Sequence, residues 1–110
     1  MLEVSEAYIG KLKCALNTDK EKYDDWRAEY YNKTGIVAIY EDVVSKRGKY
    51  IIRFMPIKDN GEIDESEGCL KTSYGDLFLD YVADRICLIT KNSTYQFEDV
   101  AFKKHYEKSV

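Results

Sequence analysis

The chain has one proline, one histidine and three cysteines among 110 residues, and no apolar run long enough to span a membrane. Each scarcity closes a class. A lone Pro56 with only six glycines excludes collagen-like, Pro-rich and low-complexity architectures. Cys14, Cys69 and Cys87 are far apart and odd in number, with no CxxC pair and no Cys/His ligand spacing. They therefore specify neither a disulfide framework nor a zinc site. His105 sits between Lys104 and Tyr106, and nothing in the sequence aims it at a nucleophile or a carboxylate. GxSxG, HExxH and GxxxxGK[ST] are missing. No catalytic residue, metal ligand set or cofactor is assigned, and the chain reads as a non-enzyme. Met1–Glu6 lacks a basic region followed by an apolar run, so the expected location is cytoplasmic, with reduced thiols and no membrane contact.

What the chain does contain is a core. Apolar content of 45% and charged content of 34% fit a soluble globular chain, and the length fits a single domain over 1–110. The strongest local signal runs from Gly35 to Ile57. Ile36, Val37, Ile39 and Tyr40 precede Ser45-Lys46-Arg47-Gly48, and Tyr50, Ile51, Ile52 and Phe54 follow it. β-Branched and aromatic residues around a polar link ending in glycine predict a hairpin. Arg85–Thr90, with apolar side chains on both faces, predicts a central strand, and Thr94–Glu98 predicts its neighbour. Asn60-Gly61 predicts a type I′ turn.

Helix is expected in the N-terminal third. Thr18 and Glu21 have capping-box spacing, and Tyr23, Trp26 and Tyr30 follow at helical intervals up to Asn32. Residues 4–16 fit a helical stripe (Val4, Tyr8, Leu12, Ala15) or a short strand (Leu12, Cys14, Leu16), with helix slightly favoured. Residues 77–82 fit either a helical turn or a strand, and 100–106 a closing helix. The resulting expectation is an α+β fold: a four- or five-stranded, mainly antiparallel sheet or small barrel with N-terminal helical cover. Its core should hold Val37, Ile39, Ile52, Phe54, Ile86, Leu88 and Phe97, with Trp26 packed on that layer.

Charge is unevenly placed. Residues 59–84 carry eight Asp/Glu against Lys71 alone, within a chain of net charge −3. Asp59, Glu62, Asp64, Glu65 and Glu67 are the candidate partner-binding residues. A solvated edge explains such a run. It also suits a docking surface for a protein with a basic face, because clustered charge speeds encounter and rejects wrong partners. An oxygen-rich metal loop is disfavoured, since the residue order departs from the EF-hand pattern. The leading functional reading is a small cytosolic protein-binding module, an inhibitor or regulatory accessory protein. The alternative is single-stranded nucleic-acid binding by sheet aromatics with Lys46, Arg47, Lys49, Arg53 and Lys58. An acidic chain, pI about 5.2, argues against that alternative.

Overall fold

The computed structural model describes residues 2–42 and 49–102. Seven strands form one antiparallel sheet: β1 (Leu2–Leu16), β2 (Thr34–Asp42), β3 (Tyr50–Pro56), β4 (Leu70–Lys71), β5 (Gly75–Asp80), β6 (Arg85–Thr90) and β7 (Thr94–Glu98). The α+β expectation of four or five strands with N-terminal helical cover is overturned: among the described residues the strands number seven, and no helix covers them. The named helical elements are two 3₁₀ turns, Trp26–Tyr30 and Glu65–Glu67; of the closing helix expected at 100–106, residues 103–106 lie outside the described residues.

The sheet closes on itself. Its order is β2-β1-β7-β6-β5-β3-β4, and β2 also pairs with β3. β4 and β5 both lie along the far side of β3, Leu70 opposite Phe54 and Gly75 opposite Tyr50, so they act as one interrupted strand. The break is held by Thr72. Its N–H donates to the Ile52 carbonyl at 2.9 Å, and its buried hydroxyl accepts the Ile52 N–H at 2.9 Å. Each strand thus pairs with its neighbours in sequence, and β1–β7 completes an up-and-down ring. The seam between β3 and β5 is thin, with Tyr50↔Gly75 its one ladder pair.

β1 explains why the helical reading fails. Its register with β2 shifts between Val4 and Glu6, and its register with β7 shifts between Leu12 and Cys14. Bulges bend a strand and displace its alternation, and they let one 15-residue strand serve two partners. β2 takes Leu2 to Lys11; β7 takes Lys11 to Leu16. The resulting spacing of apolar residues imitates a helical stripe.

Residues 17–33 form cover, but not a helix. The Asn17 carboxamide accepts the N–H groups of Asp19 and Glu21, which closes a turn where a capping box was expected. Lys22 then bridges back to Leu16. The Tyr23 N–H donates to the Ala15 carbonyl, and the Asn32 N–H to the Leu12 carbonyl, which satisfies the edge of β1 that β2 leaves bare. The Tyr31 hydroxyl bonds the carbonyls of Ala15 and Tyr23.

All seven expected core residues are buried, joined by Leu12, Leu70, Tyr95 and Val100. Full burial of each large apolar side chain contributes about 1.5–3 kcal/mol. Tyr30 enters one end of the ring against Phe54, and Tyr8 and Phe102 meet edge-on at 4.8 Å at another part of the core. Trp26 does not pack on this layer; it is 49% exposed. Residues 77–80 belong to strand β5, with no helical turn there. The hairpin tip at 45–48 and residues 103–110, including His105, lie outside the described residues.

Candidate functional site

In an up-and-down ring, successive connections alternate between the two ends. The β1–β2, β3–β4 and β6–β7 links therefore share one end, and side-chain bonds tie them together. The Tyr23 hydroxyl meets the Ser93 hydroxyl at 2.7 Å, Arg27 Nε donates to the Tyr95 hydroxyl at 3.3 Å, and the Tyr30 hydroxyl donates to the Glu67 carbonyl at 3.0 Å.

All five candidate residues lie in the β3–β4 link. The Lys58 N–H donates to the Glu62 carbonyl at 2.7 Å and the Gly61 N–H to the Lys58 carbonyl at 2.9 Å. Gly61 has φ +88°, but Asn60 is not among the positive-φ residues, so the turn is not type I′. It has the form that ends in a left-handed glycine. Ile57 bridges Ile63, and the Asp64 N–H donates to the Pro56 carbonyl at 2.8 Å. Asp64 then caps the second 3₁₀ turn: its carboxylate accepts the Ser66 N–H at 3.2 Å and the Ser66 hydroxyl at 2.6 Å. The hydroxyl bond leads in holding the Asp64 carboxyl below its ordinary range.

The result is a fixed backbone with outward charge. Asp59, Glu62, Glu65 and Glu67 are exposed, and Asp64 is partly covered. Among the described residues, Glu67 is the one of the five in an ion pair, with Lys33. That carboxylate raises the Lys33 ammonium pKa, first through the hydrogen bond. The rest of the acidic segment goes elsewhere. Asp76 pairs with Lys49, Asp80 accepts the N–H groups of Val82 and Ala83, and the Asp84 carbonyl accepts from Val100. The sequence run is thus split between the loop and the β5–β6 hairpin.

Two apolar groups lie beside the loop: Ile63, which the sequence reading passed over, and Trp26, which it placed on the core layer. Ile63 is exposed within the loop. Trp26 stands edge-on to Tyr30 at 6.4 Å, and Tyr30 in turn bonds Glu67. Arg27 lies 4.0 Å over the Tyr23 ring and 5.0 Å over Trp26, with Asp25 as its ion pair. This cluster fixes the Trp26 backbone while leaving half the indole in solvent. The helical spacing of Tyr23, Trp26 and Tyr30 concealed the exposure, because it implied one shared buried face.

Of the basic set, Lys49 is paired with Asp76 and Arg53 lies 5.8 Å over Tyr40, while Lys58 belongs to the acidic loop. Lys46 and Arg47 lie outside the described residues. Cys14 and Cys87 lie either side of Gln96, to which the Cys14 thiol donates at 3.3 Å; Cys69 is exposed. Among the described residues, no group of three or more His, Cys, Asp or Glu is placed to hold a metal, and no helix is long and apolar enough to cross a membrane.

No protein-family model matches the chain, and no curated protein or solved structure matches it.

Proposed function

We propose that this protein is a small binding module that docks the basic surface of a protein partner through its 58–67 loop. The supporting observation is preorganisation. Three carboxylates, Asp59, Glu62 and Glu65, project from a loop whose backbone is closed by its own turn and pinned to the core through Tyr30. A fixed array of charge loses little freedom on binding, and it steers a basic partner from beyond contact range. Trp26 and Ile63 supply apolar contact beside the charge, and tryptophan is among the side chains enriched where interfaces concentrate their binding energy. An inhibitor or regulatory subunit acting on a basic groove would need these features.

The test compares native protein with the triple variant Asp59→Lys, Glu62→Lys, Glu65→Lys. Both are immobilised and exposed to cell extract at low and high salt. A basic protein retained by the native chain should be released by salt and lost by the variant. Its measured association rate should fall with the reversal, most at low ionic strength. Equal retention by both chains removes the reading. Recovery of nuclease-sensitive RNA or DNA by the native chain would favour the nucleic-acid alternative.

A further inference from the structure

A second surface lies away from that loop, on the outer face of β5 and β6. Phe78 is 55% exposed and Ile89 is 43% exposed. The register sets Phe78 opposite Cys87 and Asp76 opposite Ile89, so Phe78 and Ile89 are diagonal neighbours on one face. A groove beside Phe78 is lined by Lys13, Asp80, Arg85, Cys87 and Glu98. Its charges balance, two of each sign, although the whole chain carries −3.

The order of charge across the strands of this face suits one kind of partner. Asp80 is opposite Arg85 across the β5–β6 pair, and Glu98 is opposite Lys11 across the β7–β1 pair. Signs therefore alternate from strand to strand. A partner of one sign would meet its own sign at every second position. A second copy meets the opposite sign, provided its two-fold axis runs along the strands and between two of them. With the axis between β5 and β6, Asp80 of each copy faces Arg85 of the other, and Phe78 faces Cys87. A standard interface needs about 800 Å² per copy, roughly a ninth of the chain's 7137 Å² of accessible surface.

We propose that the outer β5–β6 face binds a second copy of this chain, forming a two-fold dimer with Phe78 at its centre. This site is independent of the acidic loop.

Sedimentation of the full chain over a concentration series tests it, with circular dichroism as the folding control. The native chain should show a monomer–dimer equilibrium. Phe78→Asp should weaken it by about tenfold or more, since it puts charge at the centre of the interface. Ile89→Asp repeats that test on β6 if the first variant folds poorly. Asp80→Lys and Arg85→Glu should each weaken self-association, and mixing the two variants should restore it as a heterodimer. A native chain that stays monomeric at its highest soluble concentration overturns the proposal. So does a dimer that keeps its affinity in Phe78→Asp and Ile89→Asp, or single-charge variants that fail to recover on mixing.

Discussion

Gly75, like Gly35, is a position where one added methyl group would meet the backbone of a neighbouring strand. A Cβ built there would lie 2.4 Å from the Ile89 carbonyl oxygen and 2.8 Å from its carbon. Ordinary carbon–oxygen approach is about 3.3 Å, so Gly75→Ala demands a shift of roughly 0.9 Å. The obstacle is β6 backbone, which cannot rotate away as a side chain can. Overpacking of this kind costs up to about 3 kcal/mol, and a distorted ladder bond adds about 1 kcal/mol. The more restricted unfolded chain returns about 0.5–1 kcal/mol, leaving a net loss of about 3 kcal/mol. For a domain of this size that is a fall in Tm of roughly 12 °C or more. Gly61→Ala is the comparison. Its φ of +88° is unfavourable for alanine, but no atom lies within 4 Å, so the loss should be about 1 kcal/mol. Thermal melts followed by circular dichroism rank the two. Native-state amide exchange should also quicken around Tyr50 and Gly75 in the first variant, because that pair closes the seam. If Gly75→Ala melts no lower than Gly61→Ala, the close approach of β5 and β6 described above is wrong.

Other expectations follow from the same geometry. Phe54→Ala and Leu88→Ala, both fully buried, should each cost about 3–5 and 2–5 kcal/mol in chemical denaturation, and an unchanged midpoint in both would remove them from the core. Cys14 and Cys87 are separated by β7, so their Cα atoms are about 9.6 Å apart and no disulfide should form on mild oxidation, as intact-mass measurement would show. Burial raises the Cys87 thiol pKa, so exposed Cys69 should be alkylated before it at neutral pH; peptide mapping decides the order. Ser66→Ala removes the main cause of the lowered Asp64 pKa, so that carboxyl should titrate higher by NMR. In the native protein the Asp64 contribution is present above the ordinary carboxylate pKa and is lost as pH falls through the lowered folded value.

The parts of the fold legible from sequence were those with undisturbed alternation. β2, β3, β6 and β7 carry apolar residues, mostly β-branched or aromatic, at every second position, and the packed layer of Val37, Ile39, Ile52, Phe54, Ile86, Leu88 and Phe97 follows from that period. β1 was hidden by its two register shifts, which no propensity records. The supposed helix at 18–32 failed because its backbone groups have better partners than each other: the exposed edge of β1 takes the Tyr23 and Asn32 N–H groups, and the Asn17 side chain takes those of Asp19 and Glu21. Its aromatic residues then do three separate jobs, with Tyr30 in the core, Tyr23 on the rim and Trp26 in solvent. The five carboxylates of the 58–67 loop were readable as a cluster because they fall within nine residues of sequence, 59–67. Trp26 and the loop are more than 30 residues apart, so only the meeting of two links at one end of the ring brings them together.

The long first strand also has a consequence for how the protein is made. The second half of β1 is complete at Leu16, yet β7, its partner on one side, begins at Thr94. At ordinary ribosomal speeds of 5–20 residues per second, that edge waits on the order of 4–16 s for the chain that will cover it. During that interval it is a strand edge in a crowded setting, open to any other extended chain. Lys13 stands at the register shift on this half, exposed and out of step with its neighbours. A charged residue at an irregular position makes that edge a poor template for the wrong strand.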